Sequence, residues 1–249
     1  MLETKLLHEQ RVLWPDMRSL EEVLELKDTT IPHIFETTYQ GNPTDPSGST
    51  FKREWWSGRN RYRFGENHRP VGRWISLDTG LTESEGSADS SVVIGDLMPD
   101  YTLRLVYCWS HPVGFPDLVA QTKSVASSHY DNGMLRGVVI ERKISGISLI
   151  QTLERSSEEW LKPLIQGYNP REPKVVRWSE AAVWCSLNMI HLPEPSPETP
   201  WLYDFEDDLF NAPNVPKRDR LDAFAQLVLF LSNLLAEGYQ AKREVIHAK

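Results

Sequence analysis

The chain has 249 residues, 40% hydrophobic and 25% charged, which is the composition of a globular protein and excludes global disorder. No apolar run approaches the roughly 20 residues that span a bilayer, and the start MLETKLLHEQ lacks the apolar core of a signal peptide. We therefore expect a soluble, cytoplasmic protein with no membrane partner. The net charge of −8 excludes a surface that is basic throughout, so nucleic acid would have to bind through a local patch.

The two cysteines, Cys108 and Cys185, lie in apolar or aromatic contexts without a CxxC pattern. Such cysteines are typical of buried, reduced thiols rather than a zinc site or a disulfide. The chain contains no GxxxxGK[ST], GxGxxG, GxSxG or HExxH motif. The usual sequence evidence for a nucleotide-hydrolysing motor, a dinucleotide enzyme, a serine hydrolase or a zinc peptidase is therefore missing.

The first residues read as helical pieces with a break at Trp14-Pro15. A helix is predicted from Ser19 to about Leu26, because Ser19 and Glu22 form a capping-box pattern. The stretch TTYQGNPTDPSGSTF that follows has the composition of a linker. We place the domain boundary here, with a helical segment and linker over residues 1–48 and the main domain over 49–249.

Residues 52–73 are the most basic part of the chain and carry several aromatic side chains. The cations are Lys52, Arg53, Arg59, Arg61, Arg63, Arg69 and Arg73. Cations suit a phosphate backbone, and interleaved aromatic rings offer stacking surfaces for bases. The segment thus predicts DNA binding. The alternative is a solvated hairpin face whose aromatic side chains pack inward.

A short β-prone run, Trp74–Leu77, leads directly to Asp78. A polar loop follows, and the run Ser91–Gly95 resumes as a second strand shortly after Asp89. A carboxylate at the end of a buried strand is costly unless a cation compensates it, and a divalent metal is the usual cation. The sequence therefore indicates a metal ligand at Asp78, with a simple turn cap as the alternative.

The next three elements are predicted as a strand over Leu103–Trp109, a helix from Pro116 to Tyr130 and a buried strand over Arg136–Ile140 that ends on Glu141. The helix permits a right-handed crossover that lays the strands ending in Asp78 and Glu141 side by side in parallel. Two strands would then present two acids at one edge.

Six elements complete the prediction: a helix Ile147–Arg155, an edge strand Leu161–Ile165, a helix Pro173–Cys185, a strand Met189–Leu192, an acidic helix Trp201–Phe210 and a hydrophobic helix Arg220–Leu235. Asp219 and Asp222 lie at the start of the last helix. Capping of free N–H groups alone could explain one of them. Capping does not explain why two strands also end in an acidic residue.

This order of motifs resembles the C-terminal nuclease domain of a phage large terminase, a ribonuclease-H-like enzyme that cuts concatemeric viral DNA during genome packaging. The resemblance rests on SLDTG…ADSSVVIG, IERKISGISLIQTL, EPKVVRWSEAAVWC, MIHLP and RDRLDAF. The segment from LWPDMRSLEEVLELKD to FKREWW resembles the end of the terminase ATPase domain and its linker. The likeness spans nearly the whole chain.

The resemblance implies an α/β fold with a mixed central sheet flanked by helices, and a metal-dependent endodeoxyribonuclease. It assigns Asp78, Glu141 and Asp219 as catalytic ligands for one or two Mg²⁺ or Mn²⁺ ions, with Asp89 and Asp222 as outer ligands. Two ions held by shared carboxylates suit phosphodiester hydrolysis, here to a 5′-phosphate and a 3′-hydroxyl. The implied partners are double-stranded DNA, an ATPase motor domain, a small terminase subunit and a portal, in a bacterial host cell that carries the phage or prophage.

Besides the basic segment, the DNA-binding candidates are the cations beside the acids, namely Arg142, Lys143, Lys217, Arg218 and Arg220. Arg218 is a departure, because the terminase motif usually has two adjacent acids where this chain has Arg218-Asp219. The ATPase motifs are also missing, which suits a fragment, a split gene product or a prophage remnant. Two alternatives stay open: a ribonuclease-H-like junction resolvase, and a catalytically inactive DNA-binding or assembly module, which Arg218 favours.

Overall fold

A computed structural model describes residues 7–8, 11–12, 19–29, 49–58, 60–66, 69–80, 89–130, 133–215 and 218–247. The chain divides into two compact units, Met1–Ser49 and Thr50–Lys249. The assignment of residues 1–48 to the end of an ATPase domain stays a prediction. The predicted break at Trp14-Pro15 and residues 37–48 of the predicted linker lie outside the described residues.

The first unit contains a short hairpin and one helix. Strands β1 (Leu7–His8) and β2 (Arg11–Val12) pair antiparallel, and helix α1 covers Leu20–Thr29. The Ser19 backbone N–H donates to Glu22 Oε2 over 2.8 Å, and the Glu22 N–H donates to Ser19 Oγ over 3.2 Å. These reciprocal bonds confirm the predicted capping box.

The second unit is built on a seven-stranded mixed sheet. Its strands are β3 (Arg61–Tyr62), β4 (Gly72–Asp78), β5 (Ser90–Leu97), β6 (Leu103–His111), β7 (Leu135–Glu141), β8 (Ile165–Tyr168) and β9 (Ile190–Pro193). They lie in the order β3-β9-β6-β5-β4-β7-β8. Only β5 runs against its neighbours, so the other six strands end at the same edge of the sheet.

Helices cover both faces of this sheet. They are α2 (Phe115–Ser128), α3 (Ile144–Glu154), α4 (Lys174–Ser186), α5 (Leu202–Asn211) and α6 (Asp219–His247). Successive strand residues enter different cores: Val138 and Ile140 pack with side chains of α2 and α3, whereas Val139 packs with side chains of α4, α5 and α6. Burial on both faces explains why the strands read as continuous apolar runs.

Most of the predicted elements are present, with shifted ends. The prediction of helical pieces over the first residues is wrong at 7–8 and 11–12, where β1 and β2 pair as a hairpin. Helix α3 begins at Ile144 rather than Ile147, and α6 continues to His247. The predicted edge strand Leu161–Ile165 is wrong in position, because Leu161 is buried beside a turn and the strand begins only at Ile165. The sequence does not predict strand β3, since two residues are too few to form a periodic pattern.

Both cysteines are buried and free, as expected. Burial raises the pKa of the Cys108 thiol to about 12 and that of Cys185 well above its usual value. Such thiols stay protonated and unreactive at neutral pH. Among the described residues, no helix is long and apolar enough to cross a bilayer.

Candidate metal centre

Strand ends and one helix start converge on the edge where six strands finish. Asp78 is the last residue of β4, and Glu141 is the last residue of the neighbouring parallel strand β7. Asp89 directly precedes β5, whose first residues pair with the ends of β4 and β6. Helix α6 packs on β4 and β5 and begins with Asp219 and Asp222. The five predicted acids therefore approach one edge of the sheet.

Three of these acids form a group able to hold a metal ion. One carboxylate oxygen from each of Asp78, Asp219 and Asp222 lies within 4.8 Å of the other two. Asp78 and Asp222 are 3% and 1% exposed, and Asp219 is half-buried. Two oxygens on one Mg²⁺ at about 2.1 Å are at most about 4.2 Å apart, so small side-chain movements would complete the contact. The donor set therefore fits Mg²⁺ or Mn²⁺.

The ionised form of these acids is energetically unfavourable in this buried environment. Burial raises the pKa of Asp219, and the negative charges of Asp78, Asp222 and Asp89 raise it further. Burial also raises the pKa of Asp222, although the nearby Lys174 opposes the shift. A bound cation would remove this penalty, since it favours the ionised carboxylates.

Asp222 has two direct partners from helix α4. Lys174 Nζ forms an ion pair with Asp222 Oδ2, and Trp178 Nε1 donates to Oδ1 over 2.9 Å. Neither residue was predicted to belong to the site. The signal was present in KVVRW, because Lys174, Arg177 and Trp178 are spaced i, i+3 and i+4 and so share one face of the helix.

Glu141 lies between two cations instead of joining the group of three aspartates. Lys143 Nζ is 2.8 Å from Glu141 Oε2, and Arg177 Nη2 is 3.9 Å from Oε1. Burial raises the pKa of Glu141, repulsion from Asp78 adds to it, and Lys143 and Arg177 oppose the shift. Of the described acids, the candidate metal group thus contains Asp222, which was predicted as an outer ligand, rather than Glu141.

Lys143 also reaches Asp78. Its Nζ donates a hydrogen bond to Asp78 Oδ1 over 3.0 Å, so a single ammonium group bridges Asp78 and Glu141. Burial alone would lower the pKa of Lys143, but attraction to Asp78 and Glu141 outweighs it and the pKa is raised. Lys143 was predicted to contact DNA, yet its ammonium group faces the acids.

Asp89 lies at the same edge of the sheet, directly before β5. It is 3% exposed, and Ser110 Oγ on β6 donates to its Oδ2 over 3.2 Å. Ser110 in turn accepts a hydrogen bond of 2.6 Å from Ser91 Oγ. The negative charge of Asp89 raises the pKa of Asp219. Among the described residues, however, Asp89 is not part of the group of three acids that could hold one metal ion.

The backbone after β7 holds Glu141 in place. A Cβ atom at Gly146 would lie 1.9 Å from the Glu141 carbonyl oxygen, so only glycine fits where α3 begins. One residue earlier, Ser145 Oγ donates to the Thr79 carbonyl over 2.9 Å and ties this helix to the residue after Asp78. The glycine at position 146 therefore has a packing reason.

Gln226 of α6 fixes the helix to the two acid-bearing strands. It is fully buried, and its Nε2 lies 3.0 Å from Ser76 Oγ, 3.2 Å from the Leu77 carbonyl and 3.1 Å from the Val139 carbonyl. These contacts fix the position of α6 along its axis relative to the ends of β4 and β7. Sequence reasoning missed it, because a glutamine in an amphipathic helix gives no signal of its tertiary partner.

The predicted DNA-binding residues separate into three groups. Lys52, Arg53, Arg63, Arg142 and Arg218 are exposed. Arg53 lies 4.2 Å from the Phe210 ring centroid, Arg63 is 3.7 Å from Glu194, and Arg218 lies 5.9 Å from the Trp178 ring centroid. Arg59 and Lys217 lie outside the described residues.

The third group is engaged within the fold. Arg61 Nη1 is 2.5 Å from Glu206 Oε1 and 3.0 Å from the Pro193 carbonyl. Arg220 Nη1 donates to Asp208 over 2.6 Å, and its Nη2 is 3.5 Å from Asp204. Because these guanidinium groups already pair with acids of the protein, their surroundings do not favour contact with DNA. Their role in DNA binding stays a prediction.

The basic segment and the acids are far apart in the sheet. Strand β3 lies four positions from β4, which at about 4.8 Å per strand is a lateral distance of about 19 Å. Arg142 and Arg218, by contrast, are sequence neighbours of Glu141 and Asp219. Among the described residues, these two are therefore the exposed cations that directly neighbour a site acid in sequence.

No family model matches the chain, and no curated protein matches it in sequence. In structure, it is similar to the large terminase of a thermophilic bacteriophage in two crystal forms, one of them in complex with ADP, with TM-scores of 0.51 and 0.52 and 11% identity. The matches cover 84% of this chain and 50% and 51% of the terminase chain, so this chain spans about half of that protein.

A third match is the large terminase nuclease of the thermophilic phage G20c with bound cobalt, at a TM-score of 0.50 and 15% identity, covering 73% of this chain and 96% of that one. Likeness at such low identity establishes the fold. The α/β fold expected from the sequence, a ribonuclease-H-like mixed sheet flanked by helices, is thereby confirmed.

Proposed function

We propose that the chain is a metal-dependent DNA endonuclease. The observation that carries the proposal is the group of Asp78, Asp219 and Asp222 oxygens within 4.8 Å of one another at the carboxyl edge of the sheet. In α/β sheets, this edge is where ligands usually bind. The likeness in fold to the G20c large terminase nuclease supports the same function.

The three aspartates would hold the metal ion, and Lys174 and Trp178 would orient Asp222. A divalent cation supplies Lewis-acid stabilisation of the phosphate and a lower pKa for bound water. Glu141 would accept a hydrogen bond from the attacking water. In the reaction, the water oxygen bonds to phosphorus, the P–O3′ bond breaks and the 3′ oxygen takes up a proton, which leaves a 5′-phosphate and a 3′-hydroxyl.

Arg142 and Arg218 would bind the phosphates that flank the scissile bond. Both are exposed, both border an acid, and an acidic chain needs local cations to approach DNA. The proposed biological substrate is concatemeric viral DNA during genome packaging. The proposed partners are an ATPase motor domain, a small terminase subunit and a portal.

The test is metal-dependent nicking of supercoiled plasmid by the wild type, Asp219→Asn and Asp117→Asn. Asp117 is an exposed acid in the first turn of α2 and serves as the matched control. We expect nicking with Mg²⁺ or Mn²⁺, its loss with chelator, and a fall of about 100-fold or more in Asp219→Asn alone. We also expect metal to raise the melting temperature of the wild type, because it binds the native state.

Two outcomes would contradict the proposal. Wild-type rates in Asp219→Asn would remove the metal role of this acid. A protein that neither cuts DNA nor is stabilised by millimolar Mg²⁺ or Mn²⁺ would be the inactive DNA-binding or assembly module instead.

A further inference from the structure

The carboxylates at the candidate metal centre form two neighbouring groups that share Asp78. One contains Asp78, Asp219 and Asp222. The other contains Asp78 and Glu141, at the ends of adjacent parallel strands. A site for two ions about 3.5–4 Å apart would use Asp78 as the shared ligand and place the second ion between Asp78 and Glu141.

That second position is filled by the chain itself. Lys143 Nζ lies 3.0 Å from Asp78 Oδ1 and 2.8 Å from Glu141 Oε2. An ammonium group and a metal ion cannot occupy the same place between two carboxylates. Since Lys143 contacts Oδ1 of Asp78, an ion held with Asp219 and Asp222 would bind the other oxygen of Asp78.

We propose that the Lys143 ammonium replaces a second metal ion in this site, so that the centre takes one divalent cation, bound by Asp78, Asp219 and Asp222. This inference rests on the proposed function, because it concerns the same centre. It assigns Lys143 a role as a built-in counterion rather than as a contact to DNA.

The balance of charge supports a single ion. Lys143, Lys174 and Arg177 each pair with a site acid. The five acids Asp78, Asp89, Glu141, Asp219 and Asp222 with these three cations leave two negative charges, which one divalent cation neutralises. A second ion in the place of the Lys143 ammonium would leave one excess positive charge in the buried centre, and uncompensated buried charge is unfavourable.

Arg177 provides an independent observation at Glu141. Its side chain is 4% exposed, and its Nη2 is 3.9 Å from Glu141 Oε1. Its Nε and Nη1 have no hydrogen-bond partner among the described residues. A buried guanidinium beside Oε1 and the Lys143 ammonium beside Oε2 both favour the ionised form of Glu141 without a metal ion.

The experiment counts Mn²⁺ ions bound to the metal-free protein at pH 7 by titration calorimetry. The variants are Lys143→Met, which has similar length without charge, and Lys123→Met as a matched control, because Lys123 forms a 2.8 Å ion pair with Glu158, which is not one of the five site acids. We expect one ion in the wild type and in Lys123→Met, and two in Lys143→Met. Without metal, Lys143→Met should melt at a lower temperature than the wild type. Addition of Mn²⁺ should raise the melting temperature of Lys143→Met by more than that of the wild type.

Two bound ions in the wild type, or one ion in both the wild type and Lys143→Met, would overturn the inference and leave the proposed nuclease function standing. No bound Mn²⁺ in the wild type would overturn both. If Lys143→Met does not fold, electron paramagnetic resonance of the wild type with two equivalents of Mn²⁺ decides: a single uncoupled bound ion supports the inference, and a spin-coupled pair overturns it.

Discussion

Among individual residues, two buried aspartates on neighbouring strands differ in the cation that compensates them. Asp96 is fully buried, and Arg73 binds it with two guanidinium nitrogens at 2.6 and 2.7 Å. Asp78 instead meets a lysine whose side chain is 39% exposed. A planar arginine fork engages both oxygens of a carboxylate, whereas a lysine ammonium is a point charge, which here contacts one oxygen of Asp78. The Arg73–Asp96 pair therefore stabilises the fold, and Asp78 can bind an ion while it is paired with Lys143.

The Arg73–Asp96 pair gives a prediction about stability. Arg73→Met should lower the free energy of unfolding by about 3 kcal/mol, because it removes the guanidinium that binds both oxygens of the buried Asp96 carboxylate. Arg63→Met is the control, since the Arg63 side chain is 77% exposed and its pair with Glu194 is worth about 1 kcal/mol or less. Urea unfolding of both variants measures the difference. Equal stabilities would show that Arg73 belongs to a solvated basic face after all.

Among the helices and strands, α3 approaches the end of β7 so closely that its first turn requires glycine. The ideal Cβ of Gly146 would lie 1.9 Å from the Glu141 carbonyl oxygen, which is a clash with backbone rather than with a movable side chain. The helix and the strand end are therefore positioned together. Any shift of α3 moves Glu141 and, through the short link, Lys143.

Gly146→Ala should accordingly destabilise the fold by about 1–3 kcal/mol, the usual cost of overpacking. It should also weaken the effect of Mn²⁺ on the melting temperature, because Lys143 and Asp78 would be displaced. Ser148→Ala, at an exposed position in the same helix, should change stability by less than about 0.5 kcal/mol. Thermal melting with and without Mn²⁺ checks both effects. A Gly146→Ala protein as stable as Ser148→Ala would mean that the strand end is not fixed by this contact.

Over the molecule as a whole, an acidic protein has to present its cations where DNA lies. The chain has a net charge of −8, and its exposed DNA-binding candidates divide between the acid-bearing edge and the segment around strand β3. These two places are separated by about 19 Å of sheet. Duplex DNA held at the acids would contact Arg142 and Arg218 first.

Replacing both Arg142 and Arg218 by Met should reduce the slope of log affinity against log salt by about 1.8, since each phosphate contact contributes about 0.9. Arg136→Met is the matched control, because Arg136 is exposed on the same strand as Glu141 but near its other end. Anisotropy of a labelled duplex over a salt series measures the slopes. An unchanged slope in the double variant would place DNA away from the acids.

The basic segment predicted from the sequence is tested in the same assay. Replacement of Lys52, Arg53 and Arg63 together by Met should reduce the slope by about 2.7 if DNA extends along the whole edge. If the slope is unchanged, the segment is a solvated face.

The amino-acid pattern alone predicts the elements and the class of chemistry. Strands that are buried on both faces appear as continuous apolar runs, and helices appear as apolar residues spaced three or four apart. An acid next to an apolar run stands out because it fits neither pattern. Asp78, Asp89 and Glu141 could therefore be found one by one, and the parallel pairing of β4 and β7 followed from the helix between β6 and β7.

Which charges meet depends on the three-dimensional packing. Asp222 rather than Glu141 joins Asp78 and Asp219, and Lys143 turns toward the acids rather than outward. Arg61 and Arg220 find acids on helix α5. Charged side chains pair according to distance, and distances between elements depend on sheet register and helix packing. A sequence pattern shows the hydrophobic period of each helix or strand. It does not show how far one element is shifted along its neighbour, and that shift decides which side chains meet.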